Sequence, residues 1–150
     1  MNTHNEITII IYEGKYDFAE TFKCFIDTQE GYDCPAYLLT PDNILEDLKA
    51  HQPDIIFMDI NISPQKCIES LRKIRLDQSD IPVIMLTIVD DKQMGFALGA
   101  ADYLTKPIDF QRLHAVLAKH RPPTESQTVL IVEDHADTRA LLRRALEMEG

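Results

Sequence analysis

The chain has 150 residues, 45% of them hydrophobic, and carries 15 Lys and Arg against 25 Asp and Glu for a formal net charge of −10. That length admits one domain, or one domain and part of another, with enough apolar residues to bury a real core. The acidic balance argues against nucleic-acid binding by this chain, which needs clustered cations. No apolar run approaches the ~18 residues that span a bilayer, and no secretory h-region opens the sequence, so a cytoplasmic protein with protein partners is expected. Cys24, Cys34 and Cys67 are odd in number and widely spaced, which reads as free thiols.

In chain order, Ile7 to Tyr12 form a nearly continuous β-branched run, the composition of a strand covered on both faces. Phe18, Phe22, Phe25 and Ile26 recur on one helical face, with Gly31 as the expected stop. A short strand is predicted over residues 36–39, then a helix opened by Thr40 and Pro41 that carries Ile44, Leu45 and Leu48. Pro53 leads into a strand over 55–58, and Ile68, Leu71 and Ile74 mark the next helix. Pro82 introduces a strand over 83–86. Met94, Ala97 and Leu98 predict a helix ending near Gly99, Tyr103 and Leu104 a short strand, and Phe110, Leu113, Val116 and Leu117 a last helix. Five strand–helix units without a sustained hairpin signal predict an α/β fold: a doubly wound, five-stranded parallel sheet with helices on both faces.

Residues 121–127 then break the pattern with Pro122, Pro123 and polar neighbours, and read as a linker. Val129 to Val132 form a second β-branched run, followed by Glu133, Asp134 and a helical pattern with Leu141, Leu142 and Leu146. Laid over the start of the chain, Glu133 matches Glu13, Asp134 matches Gly14 and Asp137 matches Asp17. The expected organisation is therefore one domain over 1–120, a linker over 121–127, and over 128–150 the first strand and helix of a second, truncated copy. The apolar surface of that β-α fragment predicts self-association through 128–150.

Asp59, Thr87 and Lys106 each end one of the predicted strands. In an open parallel sheet the strand carboxyl ends share one edge, where ligands bind. A carboxylate there can attack a phosphoryl donor and form an acyl phosphate; a hydroxyl and an ammonium beside it supply fixed charge and donors for the transferring group. Capping the next helix is the plainer role of a strand-end aspartate, but three such residues in order point to phosphoryl chemistry.

The order and spacing, together with the stretch Gly99-Ala100-Ala101-Asp102-Tyr103-Leu104-Thr105-Lys106-Pro107-Ile108, resemble the receiver domain of two-component response regulators, a CheY-like, flavodoxin-like fold, over roughly residues 6–120. The resemblance implies that Asp59 accepts phosphate from a histidine kinase or phosphotransfer protein. It implies that Thr87 and Lys106 hold phosphoryl oxygens, and that Tyr103 is an aromatic switch residue turning inward behind Thr87. It also implies a phosphoacceptor that catalyses transfer to itself rather than a turnover enzyme, a Lys106-Pro107 step that is usually cis, and one Mg²⁺ on Glu13, Asp59 and the Asn61 carbonyl. Glu133 and Asp134 would be the acidic pair of the second domain.

Three departures accompany the match. Gly14 stands where the family carries its directly ligating acid, so Mg²⁺ is expected to bind weakly or not at all. Ile88 replaces the small residue expected after the threonine, and Ser63 displaces Pro64 by one place. Gly14 is the feature that favours the alternative function, a pseudo-receiver serving as a phosphorylation-independent binding or dimerisation module. A dehalogenase-type phosphatase is disfavoured by Asn61, which stands where a second aspartate belongs. Flavin binding lacks its phosphate loop after the first strand.

Overall fold

A computed structural model describes residues 6–77, 79–88, 99–122 and 136–149. In chain order the described elements are β1 (Ile7–Tyr12), α1 (Tyr16–Asp27), β2 (Tyr32–Leu38), α2 (Ile44–His51), β3 (Ile55–Asp59), α3 (Pro64–Leu76), β4 (Val83–Thr87), β5 (Asp102–Thr105), α4 (Phe110–His120) and α5 (Ala136–Glu149). Residues 94–98 of the helix predicted to end near Gly99, and the strand predicted at 129–132 with Glu133 and Asp134, lie outside the described residues.

The five strands form one parallel sheet in the order β2-β1-β3-β4-β5. The apolar run of β3 is buried at every residue, as a strand with covers on both faces requires. Side chains alternate between two cores. Ile9, Ile11, Phe57, Ile84, Leu86 and Leu104 pack against Phe22 and Ile26 of α1 and Leu113, Val116 and Leu117 of α4. Tyr12, Ile56, Met58, Val83 and Met85 pack against Ile44 and Leu48 of α2 and Cys67, Leu71 and Ile74 of α3. Each fully buried large aliphatic side chain contributes about 1.5–3 kcal/mol, so these two interfaces dominate the driving force for folding.

Three local expectations are corrected. Strand β2 begins at Tyr32, four residues before its predicted start, and runs through Pro35. It is an edge strand, and the register slips between Thr8 and Ile10, the setting in which a strand tolerates a residue that cannot donate. Helix α1 ends at Asp27 with Thr28 as its C-cap. Gly31 instead takes φ +85° in the following turn, where its carbonyl accepts the Ile7 amide at 2.9 Å, a conformation only glycine adopts freely. Helix α2 begins at Ile44 after Asn43, not at Thr40. The Thr40 hydroxyl binds the Asp42 carboxylate at 2.9 Å rather than a helix amide.

The helices flanking the functional edge are better specified. Ser63 caps α3 by accepting the Lys66 amide at 3.4 Å, with Pro64 in the first turn. The displaced Ser63-Pro64 step is therefore a helix start. Asp109 caps α4, its Oδ1 accepting the Gln111 and Arg112 amides at 2.8 and 3.2 Å.

Candidate functional site

Sheet register carries Glu13, Asp59, Thr87 and Lys106 to one edge. Tyr12 pairs with Met58, Asp59 with Leu86 and Thr87 with Thr105, so the residues that end β3 and β4 and those that follow β1 and β5 lie side by side. The Lys106 amide donates to the Thr87 carbonyl at 2.8 Å, extending the β4–β5 ladder to the lysine itself. The Lys106-Pro107 bond is cis.

Lys106 is the hub. Its Nζ lies 2.5 Å from Glu13 Oε2 and 3.1 Å from Asp59 Oδ2, and 4.3 Å from the centroid of the Phe18 ring. Two anions and an aromatic face thus fix an ammonium that is only 13% exposed. The other two carboxylate oxygens are also engaged: Glu13 Oε1 accepts the Lys15 amide at 3.0 Å, and Asp59 Oδ1 the Asn61 amide at 2.8 Å. Glu13 is fully buried and Asp59 nearly so. Burial pushes the Glu13 carboxyl above the usual carboxylate range, although the bonds from Lys106 and Lys15 pull it down.

Gly14 leaves an opening beside this network. A Cβ built there would meet only Ile62 Cγ1, at 3.5 Å, and the residue is not among the glycines with positive φ. Neither backbone conformation nor crowding calls for glycine. Among the described residues no group of three or more His, Cys, Asp or Glu side chains gathers to hold a metal; at this edge there are two carboxylates. Glu13, Asp59 and the Asn61 carbonyl are hard oxygen donors that fit Mg²⁺ in kind, with the Lys106 ammonium competing for both carboxylates.

Thr87 is half-buried at the end of β4, and Ile88 after it is 65% exposed. Tyr103 lies on β5 two residues before Thr105, the partner of Thr87, and packs against the α2–α3 core. The sequence reading passed over four contributors. Phe18 packs against the core as its helical spacing predicts, and its ring also underlies Lys106. Tyr12, buried, donates its hydroxyl to Asp47 Oδ2 at 2.8 Å and ties β1 to α2 next to Glu13. Asp102 and Arg112 form an ion pair on β5 and α4. An isolated tyrosine ending an otherwise aliphatic run, and an aspartate opening a strand, were the available signals. The cysteines are free as expected; burial pushes the Cys34 and Cys67 thiols up to about 12 and about 11, which keeps both protonated and unreactive.

A doubly wound sheet with a strand-end aspartate and a lysine bound to it at one edge is the arrangement that the resemblance to receiver domains implies. The chain belongs to the response regulator receiver domain family, whose model matches residues 9–118. It is 33% identical over 119 residues to the heme response regulator HssR of Staphylococcus saprophyticus, covering 75% of this chain and 48% of that protein. It is 31% identical over 108 residues to the transcriptional regulatory protein BasR of Escherichia coli, covering 67% of this chain and 48% of that protein. The chain thus spans about half the length of these curated relatives. In fold it is similar to the receiver domain of the Francisella response regulator 1452, with a TM-score of 0.67 at 22% identity over 77% of this chain and 96% of that one. The chemotaxis protein CheY4 of Vibrio cholerae gives 0.66 at 19% identity over 76% and 98%. No described helix is long and apolar enough to cross a membrane.

Proposed function

We propose that Asp59 is the phosphoacceptor, that Thr87 and Lys106 bind the transferred group, and that Tyr103 reports its arrival to the protein surface. The observation that carries this reading is the Lys106 ammonium, 3.1 Å from Asp59 Oδ2, a fixed charge beside the attacking carboxylate. In the reaction an Asp59 oxygen attacks the phosphorus of a phosphohistidine on a kinase or phosphotransfer protein. The new P–O bond forms as the P–N bond breaks, and the imidazole leaves with the electron pair. Lys106 must loosen its hold on Glu13 to follow the added negative charge.

Glu13, Asp59 and the Asn61 carbonyl would hold Mg²⁺. The ion, when bound, neutralises charge on the phosphoryl oxygens. With Gly14 in place of a third anion, its binding is weak. Small donors react slowly, because the exposed Ile88 side chain stands beside Thr87. Residues 128–150, after a linker over 121–127, are the start of a second receiver-like unit, with Glu133 and Asp134 as its acidic pair. The match of these residues to the start of the first domain supports this organisation.

Intact mass after incubation with acetyl phosphate and excess Mg²⁺ tests the site. One phosphoryl adduct is expected on the unaltered chain and none on Asp59→Asn. An adduct that survives the substitution places the nucleophile elsewhere, and no adduct on the unaltered chain from either acetyl phosphate or a phosphorylated kinase overturns the reading.

A further inference from the structure

Strand β5 begins with a buried carboxylate that the phosphoryl site does not use. Asp102 is 2% exposed. Its Oδ1 accepts Arg112 Nη2 at 2.9 Å and the Tyr103 amide at 3.0 Å, and its Oδ2 lies 3.2 Å from both Lys119 Nζ and His120 Nε2. An anion so placed needs cationic or hydrogen-bonding partners, and α4 supplies Arg112, Lys119 and the His120 ring. One of them does something further. The Arg112 guanidinium carbon lies 5.7 Å from the centroid of the Tyr103 ring, within the range of a cation–π contact.

Asp102 and Tyr103 are successive on β5, so their side chains point to opposite faces of the sheet. Arg112 engages both because β5 is an edge strand that a long side chain can wrap. Its backbone is pinned by the Asp109 cap and its head by the buried carboxylate. A planar guanidinium can bond a carboxylate in its plane and present a face to an aromatic ring, which an ammonium cannot.

We infer that Arg112, anchored on Asp102, is a latch that holds the Tyr103 ring in its resting position and so sets how readily the receiver switches. This rests on the reading of Tyr103 as the switch residue. Arg112 is a positioning residue: it touches no reacting atom and acts on the conformational equilibrium. A phosphoryl group that favours the ring turned toward Thr87 must overcome the contact with Arg112. Removing that contact raises the competent fraction and tightens apparent affinity in proportion.

The test uses Arg112→Gln in the full chain, a substitution at a side chain 48% exposed, with Arg112→Lys beside it. Nuclear Overhauser contacts of the Tyr103 ring, assigned through Tyr103→Phe, are recorded without any phosphoryl mimic. The unaltered chain is expected to show contacts from the ring to the Arg112 side chain, and Arg112→Gln new contacts to the Thr87 methyl. Fluoroberyllate titrated in excess Mg²⁺ is expected to bind Arg112→Gln about fivefold more tightly, with Arg112→Lys between the two. Ring contacts unchanged in Arg112→Gln, or new ones without tighter mimic binding where the unaltered chain binds it, overturn the latch. If the unaltered chain binds no fluoroberyllate, the phosphoacceptor reading falls, and the ring contacts alone decide the latch.

Discussion

The ammonium of Lys106 lies nearer to Glu13 than to Asp59, at 2.5 Å against 3.1 Å. The acidic residue retained after β1 therefore shares the site lysine with the phosphoacceptor. Two buried carboxylates and one ammonium leave the pocket with a formal charge of −1, and the electrostatic behaviour of the site follows from how that single cation is divided.

Gly14→Asp is expected to tighten Mg²⁺ binding more than tenfold, equivalent to more than about 1.4 kcal/mol. The new carboxylate needs no backbone change, because Cβ at this position meets only an ordinary contact with Ile62. Calorimetric titration of both proteins checks this. Sub-millimolar affinity in the unaltered chain that the substitution leaves unchanged would refute it.

Lys106→Met strands two buried carboxylates beside each other. The loss is expected to be about 3 kcal/mol in neutral solution without divalent cations, as for a buried pair that loses one partner. Mg²⁺ should restore part of it and raise the urea midpoint of the variant more than that of the unaltered chain, since the ammonium no longer competes. Equal Mg²⁺ responses in the two proteins would show that lysine and metal do not share these carboxylates.

Burial works against ionisation of Asp102, but the Tyr103 amide, Lys119 and His120 outweigh it and hold the carboxyl below its ordinary value of 3.8. A depressed folded-state pKa contributes stability that is present above the unfolded value and lost as pH falls through the folded one. Asp102→Asn should therefore cost about 2 kcal/mol at pH 7, as for hydrogen bonds to a charged group. The gap to the unaltered chain should close only below the ordinary carboxyl range. Urea unfolding of both proteins from neutral pH down to about 3 measures it; a gap independent of pH would show that charge is not its source.

The full chain is expected to self-associate through residues 128–150, while a version ending at His120 stays folded and monomeric. Leu141 of α5 is 68% exposed, and Val129 to Val132 have the β-branched composition that favours strand pairing. Light scattering at ~100 μM, where exposed apolar surface promotes association, compares the two. A monomeric full chain would refute the prediction.

Most of the fold was legible because the strands bury both faces. Ile7–Tyr12, Ile55–Asp59 and Val83–Thr87 are apolar runs too short for helices and too continuous for half-exposed strands, and their ends place Asp59 and Thr87. The misreadings fall where local signals compete with tertiary context. Pro35 hid the first half of β2 because a proline breaks an interior strand but not an edge one. Thr40-Pro41 imitated a helix start, yet α2 begins three residues after Pro41.

The resemblance to receiver domains marked Gly14 as standing in place of an acid, and the sequence by itself determined the parallel α/β sheet and the positions of Asp59 and Thr87 at strand ends with Lys106 just after one. These are properties of composition and order along the chain, which short-range periodicity encodes. Only the tertiary structure decided that Lys106 bridges Glu13 and Asp59 over the Phe18 ring, and that Arg112 joins Asp102 to Tyr103. Lys106 lies 93 and 47 residues from its two carboxylates. Such pairings depend on sheet register and on which strand forms the edge, and no local pattern of residues records either.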